Sequence, residues 1–311
     1  MFKKFLNLNF TVTILIFINL ALPVSGYCLN KGLLVLISHN KPPYTIVAQK
    51  IKQNFPNTRI YTLEKIKKVG TNYQDPIVVC LGSKVLRWAV HRPWQGTIVF
   101  SLVLELETEI KNSFFAKNNR LFGILLSFPP KRYLLWLKLL FPQIRSVGFL
   151  ATSSTQQWVN DFLRDARFFN FDAKVFYLKN NKDLENVLRR ISTQVKALIV
   201  FPDPLFINYL TFPKLVFFSI EQEIILISLS ERLARAGALF SLGWDFNSIA
   251  LQTVDLIKSL LNGDKIERKY FYPRKEIVYV NSKILKILNL KIPSHFYKKV
   301  ILLGEGDKND L

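Results

Sequence analysis

The sequence predicts an α/β protein built as two Rossmann-like lobes with parallel sheets, joined by a hinge that the chain crosses three times. Three observations carry that expectation. Runs such as Leu33–Ile37 (L-L-V-L-I) and Pro76–Leu81 (P-I-V-V-C-L) are continuously apolar, as strands covered on both faces must be. They alternate with helical segments, the order that a parallel sheet with crossover helices requires. The alternation runs through twice, and the roughly 285 residues beyond position 26 suit two cores better than one.

Residues 1–26 read as a secretory signal peptide. Lys3 and Lys4 form a positive n-region, Phe10–Leu22 an apolar run, and Pro23 to Gly26 the cleavage region. The run is short for a membrane span, which needs about 20 apolar residues. Export to the periplasm follows, with an uncleaved N-terminal anchor as the competing reading.

The first strand, Leu33–Ile37, leads to Pro42 and Pro43, which open a helix carried by Tyr44–Phe55 because proline is tolerated in a first turn. Arg59–Thr62 is a weaker strand. Pro76–Leu81 is a strong one, followed by Gly82-Ser83 and a helix to Val90, and Thr97–Phe100 is the next strand. Glu105–Arg120 is read as the first crossing. The second series opens with strand Gly123–Ser127 and helix Pro130–Leu140, whose Leu134, Leu137 and Leu140 share one stripe. Strand Val147–Ala151 follows, then helix Gln156–Phe168, with Ser153 and Ser154 as natural caps. Strand Ala173–Tyr177, helix Asp183–Ser192 and strands Ala197–Phe201 and Ile224–Ser228 continue the series. Trp244 to Arg268 recrosses. The expected division is a first lobe of residues 31–121 plus 244–268, a second of 122–243 plus 269–300, and a flexible tail at 301–311.

Lys and Arg number 43 against 22 Asp and Glu, a formal charge of +21. The basic residues are spread from Lys31 to Lys308 rather than gathered into a block, which reads as a solvated basic surface. Export also removes nucleic acid as a partner. Of the two cysteines, Cys28 follows the bulky Tyr27, which argues against a lipidation signal. A Cys28–Cys80 disulfide is allowed in an oxidising compartment. Cys80 ends an apolar strand, however, and a free buried thiol is the blander reading.

Gly82-Ser83 is the sharpest local site. Glycine permits a tight turn after the strand, and the helix that Ser83 opens offers free N–H groups to an anion; an ordinary N-cap serine is the alternative. Pro202-Asp203-Pro204 follows a buried strand, where Asp203 either faces a crevice or sits in a proline-stiffened turn. Asp245 either faces the cleft or caps the following helix with Asn247 and Ser248. Ser38 and His39 end the first strand, and Ser101 and Ser228 lie at further strand ends, all near the expected cleft. Ser38 to Lys41 fits S-x-x-K, but no S-D-N or K-T-G accompanies it, so catalysis is not expected. His91 and His295 are isolated, and neither metal-ligand spacing, G-x-G-x-x-G nor a Walker A motif is present. No metal, cofactor or enzymatic activity is expected.

From Ala234 the chain reads A-R-A-G-A-L-F-S-L-G-W-D-F-N, then an amphipathic helix, L-L-N-G-D-K, a strand ending Val280-Asn281, and I-L-N-L-K-I-P. This succession resembles the C-terminal signature of the ABC transporter substrate-binding protein family that includes tryptophan/tyrosine-type transport components. Upstream, I-V-V-C-L-G-S-K-V-L-R-W-A-V, G-T-I-V-F-S, F-G-I-L-L-S-F-P-P-K-R-Y and A-L-I-V-F-P-D-P-L are similar to further family passages, so the likeness spans nearly the whole mature chain. It departs after the I-V-F strand, where Leu104-Glu105 replaces the usual Asp-Pro, at Phe122 in place of a threonine, and in a first lobe shortened between Ile60 and Asp75. The resemblance implies the type I periplasmic binding protein fold. It also implies an exported binder of a small, amino acid-like ligand that closes on its hinge and meets a membrane permease. Ser38, His39, Gly82, Ser83, Ser101, Asp203, Ser228 and Asp245 are then the expected ligand contacts. The alternative is an extracytoplasmic sensor of the same fold, with a reduced pocket and a membrane signalling partner.

Overall fold

The computed structural model describes residues 32–201 and 203–304; the expectations for the signal peptide, Cys28 and residues 305–311 lie outside them. In chain order the first lobe holds β1 (Leu34–Ile37), α1 (Tyr44–Asn54), β2 (Arg59–Thr62), α2 (Leu63–Val69), β3 (Ile77–Leu81) and α3 (Ser83–Ala89). It continues with β4 (Thr97–Val103), the single-turn helices α4 (Thr108–Lys111) and α5 (Phe114–Lys117), and β5 (Leu121–Leu125). The second lobe opens with α6 (Pro130–Leu140), β6 (Ser146–Ala151), α7 (Val159–Phe168), β7 (Asp172–Tyr177) and α8 (Leu184–Ser192). It then adds β8 (Ala197–Val200), α9 (Thr211–Glu221), β9 (Ile225–Leu229), α10 (Glu231–Arg235) and β10 (Phe240–Trp244). The chain returns to the first lobe through α11 (Phe246–Asn262) and β11 (Tyr270–Phe271). Finally β12 (Glu276–Asn281), α12 (Ser282–Ile287) and β13 (Ile301–Leu303) complete the second.

Two sheets result: six strands in the order β11-β5-β4-β3-β1-β2, and seven in the order β13-β12-β10-β9-β8-β6-β7. Pairing is parallel throughout the first sheet, and in the second everywhere except between β10 and β12. This is the two-lobed α/β architecture of type I periplasmic binding proteins. The continuous apolar runs are strands buried on both faces: every residue of β1 and β3 is buried, and the two sides of the first sheet feed separate cores. One of those cores joins Val35, Val79 and Ile124 of the sheet to Val47 and Ile51 of α1 and Ile249, Val254 and Ile257 of α11. Helix α11 can span the lobe because it is well terminated. Asp245 Oδ1 accepts from Ser248 N at 2.9 Å at its start, and Gly263, at φ 76°, ends it in the left-handed conformation that lacks a Cβ penalty.

The lobe boundaries differ from the sequence-based ones. Glu105–Arg120 does not cross; it forms α4 and α5 and returns to the first sheet, where β5 pairs with β4. The first crossing is the segment after Leu125. Tyr270–Phe271 pairs with β5, so the third crossing follows Phe271 rather than Arg268. Ile301–Leu303 is not tail but an edge strand beside β12, because Ser282 Oγ donates to Leu303 O and Leu303 is itself buried.

Side chains fasten the three crossings. Trp244 Nε1 donates to Leu126 O at 2.6 Å, joining the second crossing to the first. Gln252, on α11, holds the third at both ends of its amide: Nε2 donates to Tyr272 O and Oε1 accepts from Arg274 N, each at 3.0 Å.

Candidate functional site

Ligands of open parallel sheets bind beyond the carboxyl ends of the strands, where the strand order reverses. In the first sheet that point lies between β1 and β3, and in the second between β6 and β8. Several residues singled out from the sequence stand at these places. Ser38 follows β1, and its Oγ accepts weakly from Val85 N of α3 at 3.4 Å. Gly82 holds the turn at φ 98°; a Cβ there would stand 2.6 Å from Ser38 Oγ and 2.7 Å from Tyr44, so the turn needs glycine on both counts. Ser83 begins α3, and exposed His39 lies with its ring 5.5 Å from that of Tyr44.

At the reversal point of the second sheet, Asp203 is buried and fully engaged within its own lobe. Oδ2 accepts from Thr152 Oγ1 at 2.6 Å and from Ser154 Oγ, and Oδ1 accepts from Leu205 N at 2.7 Å. The hollow beside it is lined by residues 152–154, 156, 177–179 and 203–205, all of the second lobe. Asp203 is therefore a clamp on the loops after β6 and β8, which favours the turn over the crevice among its two readings.

Two further expectations are corrected, and of the two readings of Asp245 the capping one holds. Ser101 and Ser228 are fully buried inside the sheets: Ser101 Oγ accepts from Thr253 Oγ1 of α11 at 3.1 Å, and Ser228 pairs in register with buried Ser241. Both face covering layers, because the strands run on past them; β4 extends to Val103 and β9 to Leu229. Asp245 is the N-cap of α11. Cys80 is also interior, and burial pushes its thiol pKa up.

The structure instead brings both lobes together around a cavity of about 350 Å³. Glu105, Leu106, Lys111 and Leu125 line it from the first lobe, and Gln157, Trp158 and Asp161 from the second. Tyr270, on β11, and Tyr272, at the third crossing, complete it. Gln157 bridges the gap: its Oε1 accepts from Lys111 Nζ at 3.0 Å, and its Nε2 donates to Glu105 Oε2 at 3.3 Å. Trp158 stacks on Phe201 at 5.5 Å between ring centroids and approaches Tyr272 at 6.1 Å. Burial raises the Glu105 carboxyl above the usual range, opposed by Ser127, Lys111 and Gln157. Burial, with the negative charge of Glu105 and Asp161, pushes Tyr272 up to about 12. The volume and the mix of aromatic walls with a few polar groups are those of a small-molecule site.

None of these lining residues was singled out as a contact from the sequence. The available signal was Leu104-Glu105 standing where the family carries Asp-Pro, a departure that falls on the cavity wall. Among the described residues no group of three or more His, Cys, Asp or Glu could hold a metal ion, and no helix is long and apolar enough to cross a membrane.

The fold is shared with known proteins. Residues 131–300 match the family model described as ABC transporter substrate binding protein. Among solved structures, the chain is similar to an ABC domain in complex with L-Trp from Streptococcus pneumonia, at 15% identity and TM-score 0.58, covering 88% of this chain and 100% of that one. It is also similar to a ligand-free, open substrate binding protein with adhesive properties from Clostridium difficile, at 14% identity and TM-score 0.67, covering 88% and 99%. A conserved domain protein from Vibrio cholerae is similar at 13% identity and TM-score 0.56, covering 88% and 99%. No curated protein matches.

Proposed function

The chain belongs to the ABC transporter substrate-binding protein family, and from that premise we propose that it captures a small, amino acid-like ligand between its lobes outside the cytoplasm and delivers it to the permease of an importer. The observation that supports this reading is the cavity whose walls come from both lobes and from the third crossing. A ligand held there contacts Glu105 and Lys111 on one side and Trp158 and Asp161 on the other. It therefore favours whichever hinge angle brings both sets within reach, and its differential affinity for that state drives closure. The short crossings, the first and second joined by Trp244 and the third fastened to α11 by Gln252, favour a rotation of one lobe against the other.

Thermal-shift screening of the purified protein against amino acids and simple amines, followed by small-angle scattering with each hit, tests the proposal. A ligand bound only by the folded state raises the melting temperature, and closure lowers the radius of gyration. A hit that stabilises the protein without compacting it would remove the hinge mechanism, and no hit at all would move the function to a sensor with a reduced pocket.

A further inference from the structure

A hollow of about 830 Å³ lies beside the hinge, outside the interlobe cavity. It shares Tyr270 and Tyr272 with that cavity and none of the cavity's other lining residues, so the two tyrosines are a common wall. Its floor is apolar. Ile124 of β5 and Leu256 of α11 are buried members of the first-lobe core, and Ile266 and Phe271 pack half-buried against the same core. The floor is reached by the chain that runs from the end of α11 at Gly263 to β11, and residues 265–268 of that segment line the hollow. Apolar surface gathered into a concave space of this size, with a few charged groups around it, is the usual form of a small-molecule site.

The rim is cationic. Arg132 reaches it from α6 of the second lobe, Lys265 and Arg268 from the segment after α11, and Arg274 from the third crossing. Arg132 and Arg274 are each held by one ion pair through Nη1, Arg132 to Glu276 and Arg274 to Asp255. Glu276 is itself anchored, because it accepts from Trp136 Nε1 at 3.0 Å. A guanidinium has five N–H donors, so both arginines keep donors for a further acceptor while their pairs fix their positions. No ion pair among the described residues engages Lys265 or Arg268. The carboxylates that line the hollow are Asp255, already taken by Arg274, and Glu267. Four cations thus meet two carboxylates around an apolar floor. We propose that this hollow binds an organic anion, a carboxylate on an apolar body, with the body on Ile124, Leu256 and Phe271 and the carboxylate among Arg132, Lys265 and Arg268. The planar fork of arginine matches a carboxylate in geometry as well as charge. This site goes beyond the capture of a ligand between the lobes and does not depend on it.

Titration calorimetry of the purified protein with octanoate, octylamine and acetate tests the assignment. Octanoate is expected to bind. Octylamine should bind at least about 30-fold more weakly, because its ammonium meets an excess of cations. Acetate should bind at least about 100-fold more weakly, because it leaves the floor uncovered. Replacing two exposed cations together, Lys265→Gln with Arg268→Gln, should weaken octanoate about 10-fold and leave the melting temperature unchanged. Ser259→Phe places a ring in the hollow from α11 and should weaken octanoate by at least a comparable factor. Octylamine binding as tightly as octanoate overturns the anion assignment, and acetate binding as tightly overturns the apolar body. Failure of octanoate to bind, or binding unaltered in either variant, overturns the site.

Discussion

Gln252 holds the third crossing by a single side chain, and its replacement by leucine measures what that hold contributes. The residue is 6% exposed, and its amide is used at both ends, donating to Tyr272 O and accepting from Arg274 N. Leucine has a similar volume, so no large cavity complicates the comparison. Each neutral hydrogen bond contributes about 0.5–1.5 kcal/mol net, and a partner left buried and unpaired moves the loss toward the upper end. Gln252→Leu should therefore destabilise the protein by about 2 kcal/mol, read as a lower urea midpoint with an unchanged slope. The loss is also local. Hydrogen exchange at the Arg274 amide should accelerate, because its acceptor has gone, while Val278 and Val280 in β12 exchange as before. A variant within about 0.3 kcal/mol of wild type, with Arg274 exchange unaltered, would refute the idea that this amide fastens the hinge.

Two further outcomes follow from the cleft. Asp203→Ala removes the acceptor of two hydroxyls and one backbone N–H, bonds with a net worth of about 1 kcal/mol or more each. It should cost about 3 kcal/mol in denaturant unfolding yet leave ligand affinity within about threefold. Glu105 bears a pH signature: its folded pKa lies above the ordinary carboxylate value of 4.5, so the folded state holds the proton more tightly than the unfolded chain. Stability is then lost as pH rises through the folded value, and no difference remains below the unfolded one. With Lys111, Gln157, Asp161 and Tyr272 as its neighbours, Glu105→Gln should raise the apo melting temperature at pH 7 but not at pH 4, in paired scans of variant and wild type.

The cores of both lobes were legible because burial on two faces writes itself into the chain. Leu33–Ile37 and Ile77–Leu81 have no polar alternation to misread, and Leu134, Leu137 and Leu140 repeat at helical spacing. The crossings were not legible. Strand Leu121–Leu125 is equally apolar whichever sheet it joins, and α4 and α5, four residues each, are too short to show a period. The site suffered from the same blindness to distance. Serines and an aspartate at strand ends were visible locally, whereas Trp158, Tyr272 and Glu105 meet only because three separated segments converge. Ser101 and Ser228 looked like cleft residues because the sequence does not show where β4 and β9 stop.

The threading of the chain through both lobes sets the order in which they can be finished during synthesis. After Leu126 the first sheet lacks both β11 and the helix that covers Val35, Val79 and Ile124, and that helix does not begin until Phe246. The second sheet in turn waits for β12 and β13, near the end of the chain. Neither sheet is complete on a shorter fragment, so both cores wait for segments that extend to Leu303. A fragment ending between the lobes would carry a bare apolar sheet face, and aggregation rather than a folded half is its expected fate.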